Sequence, residues 1–321
     1  MPDPVLLVTV PEGRLPDERL AAIRAAADGY RLIRDDGAQS LAHVEVVLGS
    51  IDRARLAEAP QVRWVQSWSA GLDWLLDAED DAPDLPAGLQ VTSASGVHPV
   101  PIAEHVFALL LSLTRGLPAH QRAQAERRWA PDAAAPVELE GRRMVLLGLG
   151  EIGARIARLA GAFGMLVTAV RHHPDEGGAE GVARVVGDDA LLDVLPAADV
   201  LVVTLPLTDA TEGLVGAGAL AALPPHALVI NVGRGEVVDQ SALAAALADG
   251  RLGGAGLDVF EEEPLPEDSP LWMLDNVIVT PHAAGHSPHY ADRALSIFLD
   301  NWARYRAGEP LRHAVDLGAG Y

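Results

Sequence analysis

Val145-Leu146-Leu147-Gly148-Leu149-Gly150-Glu151-Ile152-Gly153 is the stretch whose reading decides the fold. The apolar run Met144 to Leu147 meets three glycines spaced G-x-G-x-x-G, and apolar positions then recur at helical intervals at Ile152, Ile156, Leu159, Ala160 and Phe163. Strand, tight turn and helix start, in that order, open a dinucleotide-binding βαβ unit. Gly148 permits the turn, Gly150 lets the backbone approach a pyrophosphate, and Gly153 lets the helix pack on the strand. Glu151 and Ile152 begin the helix, whose unpaired N–H groups and positive dipole end suit phosphates. The glycine spacing alone also fits a tight turn with no ligand; the flanking patterns favour a cofactor.

Outward from this turn, apolar strand segments alternate with helical patterns. Arg143 to Leu147, Leu166 to Val170, Val200 to Leu205, Ala227 to Asn231, Ala255 to Asp258 and Val277 to Thr280 read as strands, with a helical stretch at Ser241 to Leu247. Upstream, Val5 to Val10, Tyr30 to Ile33, Val44 to Leu48, Val62 to Gln66 and Leu89 to Thr92 repeat the pattern, with a helix beginning near Asp17. Pro101 opens a long apolar helix, Ile102 to Thr114, stopped by Gly116 and Pro118, whose near-continuous hydrophobicity suggests a spine between domains. Ala133 to Pro136 reads as a loop, and a final helix covers about Tyr290 to Arg306. The expected fold is α/β: two doubly wound parallel-sheet domains, a Rossmann cofactor domain at 99–285 inserted in a flavodoxin-like substrate domain at 1–98 and 286–321, with a cleft between them.

Composition narrows the chemistry. The chain has 321 residues, enough for two domains, and no cysteine, which excludes disulfides, thiolate nucleophiles and cysteine-bound metal or iron-sulfur centres. It has no lysine either, which closes Schiff-base mechanisms and a Walker-type phosphate loop. Redox chemistry must therefore belong to a bound cofactor. A net charge of −21 repels nucleic acid and anionic membranes, so neither is an expected partner. The N-terminal segment lacks a signal-peptide pattern and no apolar run approaches a membrane span, so a cytoplasmic location is the expectation.

Four further segments carry a resemblance. They are Ser69-Ala70-Gly71-Leu72-Asp73; Thr204-Leu205-Pro206-Leu207-Thr208-Asp209-Ala210-Thr211; Asn231-Val232-Gly233-Arg234-Gly235-Glu236-Val237-Val238-Asp239; and Asp258-Val259-Phe260-Glu261-Glu262-Glu263-Pro264, continuing to Thr280-Pro281-His282-Ala283-Ala284-Gly285. With the glycine turn they resemble the D-2-hydroxyacid dehydrogenase family. Arg234 lies in a glycine-flanked turn beyond a buried strand, at a carboxyl edge, where a guanidinium can grip a substrate carboxylate through two parallel hydrogen bonds. Pro281 biases Thr280 to extended geometry, so His282 also lies at a strand end and can protonate a ketone oxygen. Glu263, against the other ring nitrogen, would orient the imidazole. The resemblance implies that Ala70 and Gly71 N–H groups help Arg234 hold the carboxylate, that Asp258 contacts the nicotinamide amide, and that Leu205, Pro206, Thr211, Val232 and Gly233 line the cofactor. Trp68 and Trp129 either shape the pocket or a subunit contact or, as tryptophans more often do, simply fill core or interface.

The second strand of the cofactor domain ends in Arg171-His172-His173, where an NAD-preferring enzyme carries Asp or Glu, and no carboxylate follows until Asp175. Arg171 beside His172 can pair with a 2′-phosphate, so NADP is expected over NAD. His282, His286 and His289 form a short histidine cluster, but Pro288 interrupts it and no metal is expected. The expected reaction is hydride transfer from NAD(P)H to a small 2-keto acid, glyoxylate or hydroxypyruvate in class, by a homodimer joined through the Ile102 to Thr114 helix and the Trp129 loop. A phosphoglycerate dehydrogenase-like enzyme is the alternative, disfavoured because about forty residues follow the last cofactor-domain strand and leave no room for a regulatory domain. Formate oxidation is disfavoured because its relatives place an amide where Glu263 stands. A non-catalytic NAD(P)-sensing protein is the alternative from another class, since such relatives can keep all three polar residues.

Overall fold

The computed structural model describes residues 3–37, 39–76, 83–315 and 317. The chain divides into two units, Met1–His98 with Ser287–Tyr321, and Pro99–His286. The first unit begins with β1 (Val5–Val8), α1 (Asp17–Ala26), β2 (Arg31–Arg34), β3 (Val44–Leu48), α2 (Arg53–Ala57), β4 (Trp64–Gln66), α3 (Asp73–Leu76) and β5 (Gln90–Thr92). Its five strands are parallel in the order β2-β1-β3-β4-β5, the flavodoxin-like winding. Alternation along β1 shows why the sheet is covered on both faces: Leu6 and Val8 enter one core cluster, Val5 and Leu7 the other, and all four are buried.

The second unit contains α4 (Pro99–Thr114), α5 (Leu117–Ala125), β6 (Arg143–Leu147), α6 (Glu151–Ala162), β7 (Leu166–Val170), β8 (Val182–Val186), α7 (Leu191–Val194), β9 (Val200–Val203), α8 (Ala217–Ala222), β10 (Leu228–Asn231), α9 (Gln240–Ala248), β11 (Gly254–Leu257) and β12 (Val277–Val279). Its seven parallel strands run β12-β11-β10-β9-β6-β7-β8. The order reverses at β6, which places a topological switch point directly over the glycine turn. Met144 and Leu146 face one core, Val145 and Leu147 the other. The chain then returns to the first unit as α10 (Tyr290–Ala307), which buries Phe298 and Trp302 against Trp64. Asn301, fully buried, donates to Gln66 Oε1 at 3.0 Å and accepts from Arg312 N at 2.8 Å, tying α10 to the sheet.

The structure departs from the sequence reading in several places. The α4 helix, expected as a spine between domains, packs on the second unit's own sheet: Ile102, Val106 and Leu110 join Met144 and Leu146 in one core. Pro118 does not stop a helix but stands in the first turn of α5, where its missing N–H costs nothing; the break is Gly116, at φ +64°. The strand β8 was not expected, because on this sheet edge only Val186 of its five residues is buried and no apolar period shows. The first strand and the strand before Pro206 end two residues earlier than expected, since hydrophobicity continues into the loops beyond the last ladder bond. No single helix among the described residues is long and apolar enough to cross a membrane; α4 and α5 pass that test only as a pair bent by 69°.

Candidate active site

The glycine turn joins β6 to α6 as its spacing requires. Gly148 sits at φ +95°, a conformation that side-chain-bearing residues rarely adopt. A Cβ on Gly153 would stand 2.1 Å from the Gly148 carbonyl oxygen, so the helix start is pressed onto the turn. Nothing lies within 4 Å of the Cβ position of Gly150, which caps α6 without a side-chain acceptor. Open space before an uncapped helix N-terminus is what a pyrophosphate requires, so the residues present fit a dinucleotide.

Three neighbouring parallel strands, β10, β11 and β12, deliver the chemistry-bearing loops to one carboxyl edge. Arg234 follows β10. Asn231 braces its turn, donating to the Arg234 carbonyl at 2.9 Å and accepting from the Gly233 N–H at 3.1 Å. The half-buried Arg234 guanidinium donates to the Gly233 carbonyl at 2.9 Å, and among the described residues no carboxylate pairs with it. Gly235 presses against the backbone of the next loop: a Cβ there would meet the Phe260 carbonyl carbon at 1.9 Å.

That next loop follows β11 and carries Glu263. Its carboxylate takes the Phe260 N–H on Oε1 at 3.1 Å and lies 2.8 Å from His282 Nδ1 on Oε2. A carboxylate only accepts, so the ring proton sits on Nδ1 and Nε2 is left for proton exchange. His282 follows β12 at φ +49°, an uncommon conformation outside glycine, and its N–H donates to the Asp258 carbonyl at 2.8 Å. The Asp258 side chain, 1 % exposed as a residue, holds the same loop: it accepts from Thr280 Oγ1 at 2.6 Å and from the Ala283 and Ala284 N–H groups at 2.9 Å each. His105 on α4 completes the brace, its Nε2 3.0 Å from Thr280 Oγ1. Because Thr280 spends its only proton on Asp258, the bond from His105 must be donated by the ring. Sequence reasoning missed Thr280, His105 and Asn231 as supports; only their positions in space mark them.

The other expected positions divide between the two units. Leu205 and the exposed Pro206 begin the loop after β9, which Thr211 closes by donating to the Pro206 carbonyl at 2.6 Å and accepting from Thr208 N at 2.8 Å. Val232 is buried, and a Cβ on Gly233 would stand 2.6 Å from the Leu205 carbonyl oxygen, so these two loops touch through backbone. Arg171 and His172 close β7. Arg171 pairs with Glu176, and His172 Nδ1 lies 2.8 Å from Asp188. The sequence does not announce the Glu176 partner, which a short helical turn at Pro174–Glu176 brings back onto Arg171. In the first unit, Ala70 and Gly71 form the loop beyond β4, where Ser69 Oγ donates to the Gly71 carbonyl at 2.8 Å. Neither the Ala70 nor the Gly71 N–H meets an acceptor among the described residues. Trp68 is 5 % exposed and belongs to the first unit's core, whereas Trp129 is 95 % exposed.

Residues 107–284 match the family model described as "D-isomer specific 2-hydroxyacid dehydrogenase, NAD binding domain", more than half of the chain. The chain belongs to this family. Among curated relatives, a glyoxylate reductase of Korarchaeum cryptofilum is 33 % identical over 272 residues, 83 % of this chain and 80 % of that protein. A D-3-phosphoglycerate dehydrogenase of Mycobacterium tuberculosis is 35 % identical over 272 residues, but the match covers 84 % of this chain and only 50 % of the relative, so the chain spans about half of such proteins. A solved D-isomer specific 2-hydroxyacid dehydrogenase from Xanthobacter autotrophicus Py2, in complex with NADPH and MES, superposes with a TM-score of 0.84 at 34 % identity and covers 100 % of both chains. The two parallel-sheet α/β units are the 2-hydroxyacid dehydrogenase fold with its Rossmann NAD-binding domain.

Proposed function

We propose that this chain reduces a small 2-keto acid of the glyoxylate or hydroxypyruvate class to the 2-hydroxy acid, D where the product is chiral, with NADPH preferred over NADH. The observation that carries the reading is the His282–Glu263 pair, on the strand edge that also presents Arg234, which has no carboxylate partner among the described residues. In this assignment residues 99–286 form the cofactor domain and the five-stranded unit the substrate domain. Gly150 and the first turn of α6 would hold the pyrophosphate, while Arg171 and His172 would hold the 2′-phosphate. NADPH supplies the hydride that becomes bonded to C2. Arg234 grips the substrate carboxylate in a bidentate pair that fixes which face of the ketone is presented. In the substrate domain, the Ala70 and Gly71 N–H groups, which meet no acceptor among the described residues, suit a carboxylate as well.

His282 Nε2 delivers the proton to the ketone oxygen as the carbonyl π bond breaks, so the product leaves as a hydroxyl and not an alkoxide. Glu263 keeps Nδ1 protonated and offsets the charge of the imidazolium before it donates. The Asp258 carboxylate takes three donors and has His105 Nε2 at 3.6 Å, and the lone pair left over would accept a carboxamide N–H of the nicotinamide. Trp129, projecting from the cofactor domain, is a fitting anchor for a homodimer contact.

Loss of reduced-nicotinamide absorbance, followed with NADPH and NADH against glyoxylate, hydroxypyruvate, pyruvate and phenylpyruvate, tests the reading. His282→Ala is expected to lose about 10²- to 10⁴-fold in turnover, the usual cost of removing a general acid. Retention of activity within about tenfold would remove His282 from the mechanism, and binding of either cofactor without turnover of any acid would favour a sensor.

A further inference from the structure

The corner at the end of β7 carries its own counter-ions. Arg171 donates to the Glu176 carboxylate through one terminal nitrogen and to the Gly177 carbonyl through the other at 3.4 Å. The short helical turn Pro174–Glu176 brings this carboxylate back, and Gly177 at φ +86° ends the turn. The Arg171 side chain is 22 % exposed and that of Glu176 58 %, so the carboxylate is the more open partner and the one free to move aside. Next to it Asp188 stands on His172 in the same relation. Both basic side chains of the assigned phosphate corner therefore face an acid from the chain itself.

We propose that Glu176 is a built-in counter-anion of Arg171 that sets how strongly this chain prefers NADP(H) to NAD(H). The inference rests on the cofactor assignment above and concerns the ribose corner of that same site. A 2′-phosphate reaches Arg171 only by displacing Glu176, or by standing beside it against like-charge repulsion. NAD(H) has a hydroxyl there, which leaves the ion pair intact and offers a donor to the same carboxylate. Glu176 thus opposes the phosphate without opposing the hydroxyl, and it acts as the acid that the strand end lacks, delivered five residues later. Arg171 alone would make a strongly NADP-selective corner; with Glu176 the two cofactors are brought closer together in affinity.

Titration of the intact protein with NADPH and with NADH, followed by quenching of tryptophan fluorescence, reads affinity without turnover. Glu176→Gln keeps the shape and removes the charge, and it is expected to raise the NADPH-to-NADH affinity ratio about five- to tenfold, as for loss of one partly screened like charge beside a dianion. Asp175→Asn removes the same charge from the neighbouring residue, which makes no hydrogen bond or ion pair with Arg171, and should move the ratio less than about twofold. A Glu176→Gln ratio within about twofold of the parent, or an equal rise in Asp175→Asn, overturns the proposal. A parent that binds NADH more tightly than NADPH overturns the preference for NADP(H), yet leaves the Glu176 assignment standing if the Glu176→Gln ratio still rises.

Discussion

Replacing Gly235 by alanine tests whether the loops bearing Arg234 and Glu263 are held in register by backbone contact. The added Cβ would stand 1.9 Å from the carbonyl carbon of Phe260, 2.1 Å from its oxygen and 2.4 Å from the Glu261 nitrogen. Non-bonded carbons settle near 3.5 Å, so one backbone must retreat by about 1.5 Å. Neither partner is a flexible side-chain end that could swing away. Arg234 is the adjacent residue on one side, and Glu263 lies three residues beyond Phe260 on the other. Overpacking of this kind costs about 1–3 kcal/mol of stability. A misplacement of about 1 Å in a reacting constellation costs about a hundredfold in rate. Gly218 supplies the control: it lies in α8 with nothing within 4 Å of its Cβ position, so alanine there should gain up to about 1 kcal/mol and leave the rate unchanged. Denaturant unfolding followed by circular dichroism and initial rates of NADPH oxidation give the two readouts. A Gly235→Ala protein with parental midpoint and parental rate would refute the claim that this contact positions the site.

Two further outcomes are expected. Asp258→Asn sets an NH₂ group against one of the three donors that the carboxylate now accepts, so one is left without an acceptor; this should cost about 1–3 kcal/mol and lower turnover more than it raises KM. Unchanged stability and turnover would mean that the His282 loop keeps its shape without that carboxylate. In the first unit, Tyr30 has its phenol pKa pushed up from 10.0 to about 12, chiefly by burial and then by its hydrogen bond to Glu45 at 2.6 Å. The fold therefore favours the neutral phenol. Its contribution is complete below pH 10 and is lost as pH climbs through about 12. The chain has no lysine or cysteine, so tyrosines are the side chains titrating across this range. Denaturant midpoints at pH 8, 10 and 11 should fall less steeply for Tyr30→Phe than for the parent; parallel declines would refute the coupling.

The parts of this molecule legible in its sequence share one property: their physics is local. The glycine turn at 148–153 is specified by backbone geometry within six residues, and buried parallel strands such as β9 and β10 announce themselves as unbroken apolar runs. Arg234, Glu263 and His282 were visible because each sits in a short segment that carries the family resemblance. The edge strand β8 was hidden because it is largely unburied on both faces and so carries no apolar alternation, and α5 because a proline that breaks a helix interior is at home in a first turn. The supports were hidden for a different reason. His105 lies 175 residues from Thr280, and nothing in either neighbourhood announces the hydrogen bond between them. Glu176 was hidden too, because a three-residue helical turn folds its carboxylate back onto Arg171 and sequence distance does not show that return.

The route of the chain also governs the order in which the molecule can be completed during synthesis. Every strand of the first sheet has been made by Thr92, yet its core lacks Phe298 and Trp302 until α10 leaves the ribosome, with the whole second unit intervening. Large aromatic side chains of this kind each contribute about 1.5–3 kcal/mol on burial, so a nascent chain ending before residue 290 holds a sheet with one apolar face covered only in part, by α1 and the segments beside it. The second unit, by contrast, is continuous from Pro99 to His286 and can close as it emerges. The half made first is thus the half finished last, and it is the nascent first unit, not the glycine-turn unit, that a ribosome-bound chaperone would have most reason to cover.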